Sequence, residues 1–278
     1  MQSRAAYLPL ETYPECAPDD AILATVAFAA ALRCTVHVTT FAVIIPQIMS
    51  PLGRLLLDVP GLVHTAEEKS RADCLRLHDL VRKPAGSPAK VDVSTRPVML
   101  GAAFDAAAAE ARCYDLSVIP WFGGTALAQD MAQAVVFGSG RPTILVPPSA
   151  RPAPLDHIAI AWDGSRVAAR ALWDAIALLP ENGRLTVLTI HGEKPLSEPD
   201  LAQSLASSLE RRGCKAGPLD ITIGKRTPAE ALQDAAIDAG AQILAMGGFG
   251  HSRLRDFILG GATKGVLNDL RLPVLLSH

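Results

Sequence analysis

Aromatic residues are scarce in this chain, at 5% of its 278 residues. A core so poor in large rings and so rich in Ala, Leu, Val and Ile suits helices packed closely on a sheet better than an all-β sandwich. An excess of one charge sign is lacking too: 26 Lys and Arg face 28 Asp and Glu, a formal net charge of −2. No global basic field exists to attract nucleic acid or an acidic membrane surface. Cys16, Cys34, Cys74, Cys113 and Cys214 form no CxxC pair and no zinc-ligand spacing. Reduced thiols in a cytoplasmic protein are therefore expected. Seven scattered histidines supply neither HxxxH nor HExxH, so no metal site is expected. The longest membrane candidate, residues 21–32, is cut short by Arg33 and His37 and reads as a buried helix. The first twenty residues lack a basic start followed by an apolar core, so no leader peptide is expected.

Hydrophobic residues make up 49% of the sequence, enough for two ordinary cores. Four prolines within residues 147–154 can continue neither a helix nor a central strand, and they mark a linker. The predicted units are residues 1–148 and 155–278. Both read as the same alternation of strands and helices. In the second, strand-like runs fall at residues 158–162, 185–190, 219–223, 241–246 and 273–277. Helical spacing falls at 167–179, 200–211, 228–239 and 253–269. In the first, strands are expected near 7–10, 35–43, 91–97, 116–119 and 143–146. Its helices are expected near 20–32, 66–81, 101–111 and 127–137, with residues 46–65 an insertion. The closing runs match, Arg141-Pro142-Thr143-Ile144-Leu145-Val146 against Leu272-Pro273-Val274-Leu275-Leu276. The expected fold is α/β, two tandem open, mainly parallel five-stranded sheets with helices on both faces.

The chemistry concentrates after the fourth strand of the second unit. There Met246-Gly247-Gly248-Phe249-Gly250-His251-Ser252-Arg253 leads to a second glycine pair, Gly260-Gly261, and then Ala262-Thr263. Glycines let backbone approach a phosphate, and the first N–H groups of a helix lack internal partners. The order strand, glycine turn, helix start is thus suited to a nucleotide phosphate. Neither common fingerprint is present. Gly260-Gly261-Ala262-Thr263-Lys264-Gly265 is no P-loop, and Arg253 stands where a dinucleotide fold needs its third glycine.

In an open parallel sheet, ligands sit beyond the carboxyl ends of strands where strand order reverses. Trp162-Asp163-Gly164-Ser165 ends the first strand of the second unit, and Gly224-Lys225-Arg226 follows the third. Asp163 could accept hydrogen bonds from a ribose hydroxyl or a base edge; the competing reading is that Asp163 or Ser165 only caps the next helix. Trp162 reads as packing before base stacking. His251 beside Ser252 makes no nucleophile–base pair, because adjacent helix residues face apart. Arg253 and Lys264 are as well explained by solvation as by phosphate.

The spacing Gly247, two residues, Gly250, nine residues, Gly260 resembles that of the universal stress protein superfamily, here in a tandem two-domain form. Residues 250–263 look like bacterial members of the group. The resemblance implies an adenine nucleotide, ATP or ADP, with Mg2+ able to accompany a triphosphate. Gly247, Gly248, Gly250, Ser252, Gly260, Gly261 and Ala262 would wrap the phosphates, with His251 at the helix start and Thr263 able to add an oxygen. Asp163 would hold the ribose, and Ile190 the adenine through its backbone. It also implies a stress-response sensor or regulatory module, and self-association through the last strands. No residue is assigned as a general base, so at most slow ATP hydrolysis is expected.

Gly261 departs from the family pattern, which carries Ser or Thr there. The first unit departs further: Pro120-Trp121-Phe122-Gly123-Gly124-Thr125 lacks the spaced glycines, and Leu10-Glu11-Thr12-Tyr13 lacks the aspartate. A degenerate first domain is expected. The alternative function is a nucleotide-free dimerising scaffold. An adenylate-forming pyrophosphatase is excluded by the absence of a Ser-Gly-Gly-x-Asp-Ser loop after the first strand.

Overall fold

The computed structural model describes residues 4–46, 58–82, 90–123, 125–192, 200–248 and 261–278. Its first half runs β1 (Arg4–Glu11), α1 (Asp19–Ala31), β2 (Cys34–Ile44), α2 (Val59–Arg82), β3 (Val91–Met99), α3 (Ala103–Ala111), β4 (Leu116–Pro120), α4 (Ala126–Ser139) and β5 (Thr143–Val146). The second half runs β6 (His157–Ala161), α5 (Arg166–Leu178), β7 (Arg184–His191), α6 (Leu201–Glu210), β8 (Lys215–Thr222), α7 (Pro228–Asp238), β9 (Ile243–Gly247), α8 (Gly261–Asn268) and β10 (Val274–Ser277). The predicted linker separates β5 from β6.

The α/β reading holds, with one consequential difference. The two five-stranded parallel sheets are halves of a single ten-stranded sheet, ordered β3-β2-β1-β4-β5-β10-β9-β6-β7-β8. The joint is antiparallel, with Thr143 opposite Leu276, Ile144 opposite Leu275 and Leu145 opposite Val274. Each closing strand is short and fully buried, and an unpaired apolar edge of that kind invites pairing. Here the partner is the other half of the same chain. Self-association through the last strands therefore has no free edge to use, since β5 and β10 are each flanked on both sides. The remaining edges are β3 and β8. They carry Asp92, Arg96 and Pro97, and Lys215, Pro218 and Asp220, residues that discourage further strand addition.

Two elements begin earlier than the hydrophobic pattern indicated. Helix α2 starts at Val59, inside the expected insertion, and its first turns are largely exposed, so no apolar period betrayed them. Strand β8 starts at Lys215 because an edge strand exposed on both faces shows no alternation. Of the helix expected over residues 253–269, only Gly261–Asn268 falls among the described residues.

The two halves repeat one another in atomic detail. Ala6 lies opposite Leu116 on β4, as Ile158 lies opposite Ile243 on β9. The Ala5 N–H donates to Asp115 Oδ2 at 2.8 Å, and the His157 N–H donates to Gln242 Oε1 at 2.8 Å. The Trp121 N–H donates to the Val146 carbonyl at 2.9 Å, and the Gly248 N–H to the Ser277 carbonyl at 2.8 Å. By this register Glu11 is the counterpart of Asp163, Pro120 of Gly247, and Trp121 of Gly248.

Two buried histidines tie down the strands. His157 pairs through Nε2 with Thr186 Oγ1 at 2.8 Å, and His78 on α2 pairs with Thr40 Oγ1 at 3.0 Å. Burial lowers both pKa values below the usual histidine range, with Arg184 and Arg82 respectively adding repulsion. The unfolded chain then binds more protons than the folded one as pH falls through about 6.5, so acidification removes stability. Between about pH 7.5 and 5.5, wild type should lose more unfolding free energy in urea than a His78→Gln/His157→Gln variant does. Equal slopes would refute this.

Candidate functional site

Strand order reverses at β6, whose neighbours are β9 on one side and β7 on the other. The crevice beyond their carboxyl ends is where an open parallel sheet takes a ligand. Asp163 lies there, two residues past β6 and exposed to solvent. Its Oδ1 accepts the Ser165 N–H at 3.0 Å, closing a tight turn with Gly164 at φ +75°. Ser165 is the N-cap of α5, its Oγ accepting the Ala168 N–H at 3.2 Å. The capping role thus belongs to Ser165, while Asp163 shapes the turn before it.

Gly247 closes β9 against the first turn of α5. A Cβ placed there would lie 2.6 Å from Val167 Cγ2, 2.8 Å from the Val167 carbonyl carbon and 2.9 Å from the Ala168 nitrogen. Two of those atoms are backbone, so only glycine lets α5 start this close to the strand end. Gly248 has a different task from the one expected. Its N–H is taken by the Ser277 carbonyl, extending the β9–β10 ladder, and its carbonyl lies 3.2 Å from His278 Nδ1. That N–H is therefore not available to a phosphate, which corrects its expected place in the phosphate cradle.

Gly261 opens α8, and a Cβ there meets nothing within 4 Å. Ala262 is half-buried, while Thr263 is 5% exposed and turned inward with Val266 and Leu267. Thr263 is thus packed as a core residue of α8. Gly250, His251, Ser252 and Gly260 lie outside the described residues. Ile190 lies near the end of β7, half-buried, in register with Ile221 on β8. Trp162 is fixed at both backbone groups, its N–H to the Leu188 carbonyl at 2.8 Å and its carbonyl to Thr189 Oγ1 at 3.0 Å. Its side chain packs against the core, as the packing reading expected. Arg226, after β8, is engaged by Asp234 at 3.2 Å and the Thr222 carbonyl at 3.1 Å. Among the described residues, no group of three or more His, Cys, Asp or Glu is placed to hold a metal ion.

The first half builds its equivalent corner from other chemistry. Gly123 takes φ +72° in a turn, and Thr125 caps α4 by accepting the Ala128 N–H. Trp121, 3% exposed, sends its Nε1–H 3.0 Å to the Leu267 carbonyl of α8, across the joint. Reading the sequence alone missed Glu11 as the partner of Asp163. The signal was present in the equal six-residue steps from Ala5 to Glu11 and from His157 to Asp163, once strand register aligns the halves.

These features define a tandem α/β protein, two five-stranded parallel units joined edge to edge, each with a crevice at its switch point. Residues 154–278 match the model of the Universal stress protein family. A universal stress protein of Archaeoglobus fulgidus superposes over 100% of this chain and 99% of its own, with TM-score 0.69 and 16% identity. A Pseudomonas aeruginosa protein provisionally named as a universal stress protein covers 99% of this chain and 93% of its own, with TM-score 0.52 and 16% identity. At such identity the likeness is one of fold. No curated protein matches the sequence significantly. The chain carries a universal stress protein domain in its second half and the tandem universal stress protein fold along its whole length.

Proposed function

We propose that the second half binds an adenine nucleotide, ATP or ADP, and that the protein works as a nucleotide-dependent sensor or regulatory module in a stress response. The observation that carries this reading is the Gly247 contact. A helix start held against a strand end by a glycine, beside the exposed carboxylate of Asp163, is a crevice suited to a ribose phosphate. In this reading Asp163 accepts from the ribose hydroxyls, the Ile190 backbone faces the adenine, and the start of α8 faces the phosphates. Mg2+ would neutralise phosphate charge, and no step here depends on it. The domains are read as residues 1–148, without the glycine spacing, and 155–278, which keep it. No residue is assigned as a general base, so the nucleotide acts as a bound signal. Among the described residues, no helix is long and apolar enough to cross a membrane, and a cytoplasmic place fits the reduced cysteines.

The test is mass spectrometry of nucleotide released from denatured, freshly purified protein, followed by calorimetric titration with ATP and magnesium. About one nucleotide per chain, or saturable binding abolished by Asp163→Ala, supports the reading. An empty preparation that binds nothing up to millimolar ATP sinks it and leaves the nucleotide-free scaffold. That scaffold would have to dimerise elsewhere than through β5 and β10. A further expectation concerns position 261. Open space around its missing Cβ means Gly261→Ser adds a hydroxyl without a clash. One new neutral hydrogen bond is worth about 0.5–1.5 kcal/mol, so ATP affinity should rise about two- to tenfold in the same titration. Unchanged affinity would show that position 261 does not face phosphate.

A further inference from the structure

The corner of the first half that corresponds to the Asp163 crevice is apolar. Beyond β1 and β4 lies a narrow cleft with about 300 Å³ of empty space, walled by Leu10, Ile119, Phe122, Leu127 and Met131. Glu11 is the one ionisable residue that lines it. Its Oε2 is buried and has no hydrogen-bond partner among the described residues. A buried carboxyl oxygen left unmatched is costly, and such exceptions call for an explanation. Burial, and then the negative charge of Asp130 on α4, pushes the Glu11 pKa up to about 7. Asp130 is the charged group that faces Glu11; the β4 wall and Ala17 contribute none. At neutral pH and below, the cleft therefore presents a protonated carboxyl group, a donor and an acceptor on one planar head.

The same corner is unsuited to a triphosphate. Pro120 has no N–H to offer, the Trp121 N–H is spent on Val146, and a phosphate would face Asp130. We propose that this cleft is a second ligand site, taking a short aliphatic molecule with an uncharged polar head of the primary-amide type. Its alkyl chain lies along Leu10, Ile119 and Met131. Its head exchanges a pair of hydrogen bonds with the Glu11 carboxyl, giving the buried oxygen the partner it lacks. The site is independent of the nucleotide reading, and either can fail without the other.

The full chain, labelled with carbon-13 at its methionine methyls, is titrated with hexanamide and followed by NMR at the Met131 resonance. A saturable shift is expected at about pH 6, with apparent affinity at least about tenfold weaker near pH 8.5, where Glu11 is ionised. Glu11→Gln keeps a neutral donor and acceptor head, so it should bind while losing the pH dependence. Ala128→Leu fills the cleft and should abolish the shift, with folding confirmed by the remaining methionine signals. No saturable shift at about pH 6 overturns the proposal, as does a pH dependence that persists in Glu11→Gln. Affinity that rises with pH would point to a cationic ligand and also overturns it. So would a Met131 shift produced by ATP and not by hexanamide.

Discussion

Gly247→Ala should lower the unfolding free energy by about 1–3 kcal/mol, the usual cost of forcing a methyl group into a packed site. The added Cβ would meet the Val167 carbonyl carbon and the Ala168 nitrogen at 2.8 and 2.9 Å. A flexible side chain could yield, but helix backbone can move only by shifting the first turn of α5. That turn carries Ser165 and follows Asp163, so the same substitution should weaken nucleotide binding along with stability. Urea unfolding monitored by circular dichroism measures the first effect, and ATP titration the second. Gly261→Ala is the control, because nothing stands within 4 Å of its Cβ. A Gly247→Ala protein as stable as wild type would mean that the close contact between β9 and α5 does not exist in solution.

Trp121→Ala should be costlier still, at about 3–5 kcal/mol, as for other large side chains removed from a core. Trp121 belongs to the first half, yet its indole N–H is spent on the Leu267 carbonyl of α8 in the second. Truncation leaves a cavity between the halves and strips a nearly buried helix carbonyl of its donor. Loss of cooperativity should accompany the loss of stability, with the single urea transition broadening or splitting as the halves unfold separately. Trp121→Phe keeps most of the volume and isolates the hydrogen bond, worth about 0.5–1.5 kcal/mol. A Trp121→Ala protein that unfolds in one transition at the wild-type midpoint would refute any coupling role for this residue.

Much of the candidate site was legible because its chemistry is local. The glycine run, the aspartate after β6 and the polar helix start are short-range words, since glycine and capping residues act on their own backbone. What stayed hidden was set by partners far away in the chain. Gly248 looks the same in sequence whether its N–H meets a phosphate or the Ser277 carbonyl. Thr263 offers a hydroxyl on paper, and the inward face of α8 takes it into the core. Glu11 reads as the loss of an aspartate until register places it on the same spot.

The sequence by itself determined the alternation of strands and helices, the division near residues 147–154 and the doubling of one plan, because hydrophobic period and proline act over a few residues. Tertiary structure alone decided that the two closing strands meet antiparallel and merge both sheets into one. It likewise decided which glycine N–H groups are spent, and that the carboxyl group of Glu11 sits unmatched in an apolar cleft. The physical reason is the same in each case. A strand's alternation specifies which face is buried but not which neighbour takes its hydrogen bonds, and a carboxyl group's charge follows the dielectric that distant residues build around it.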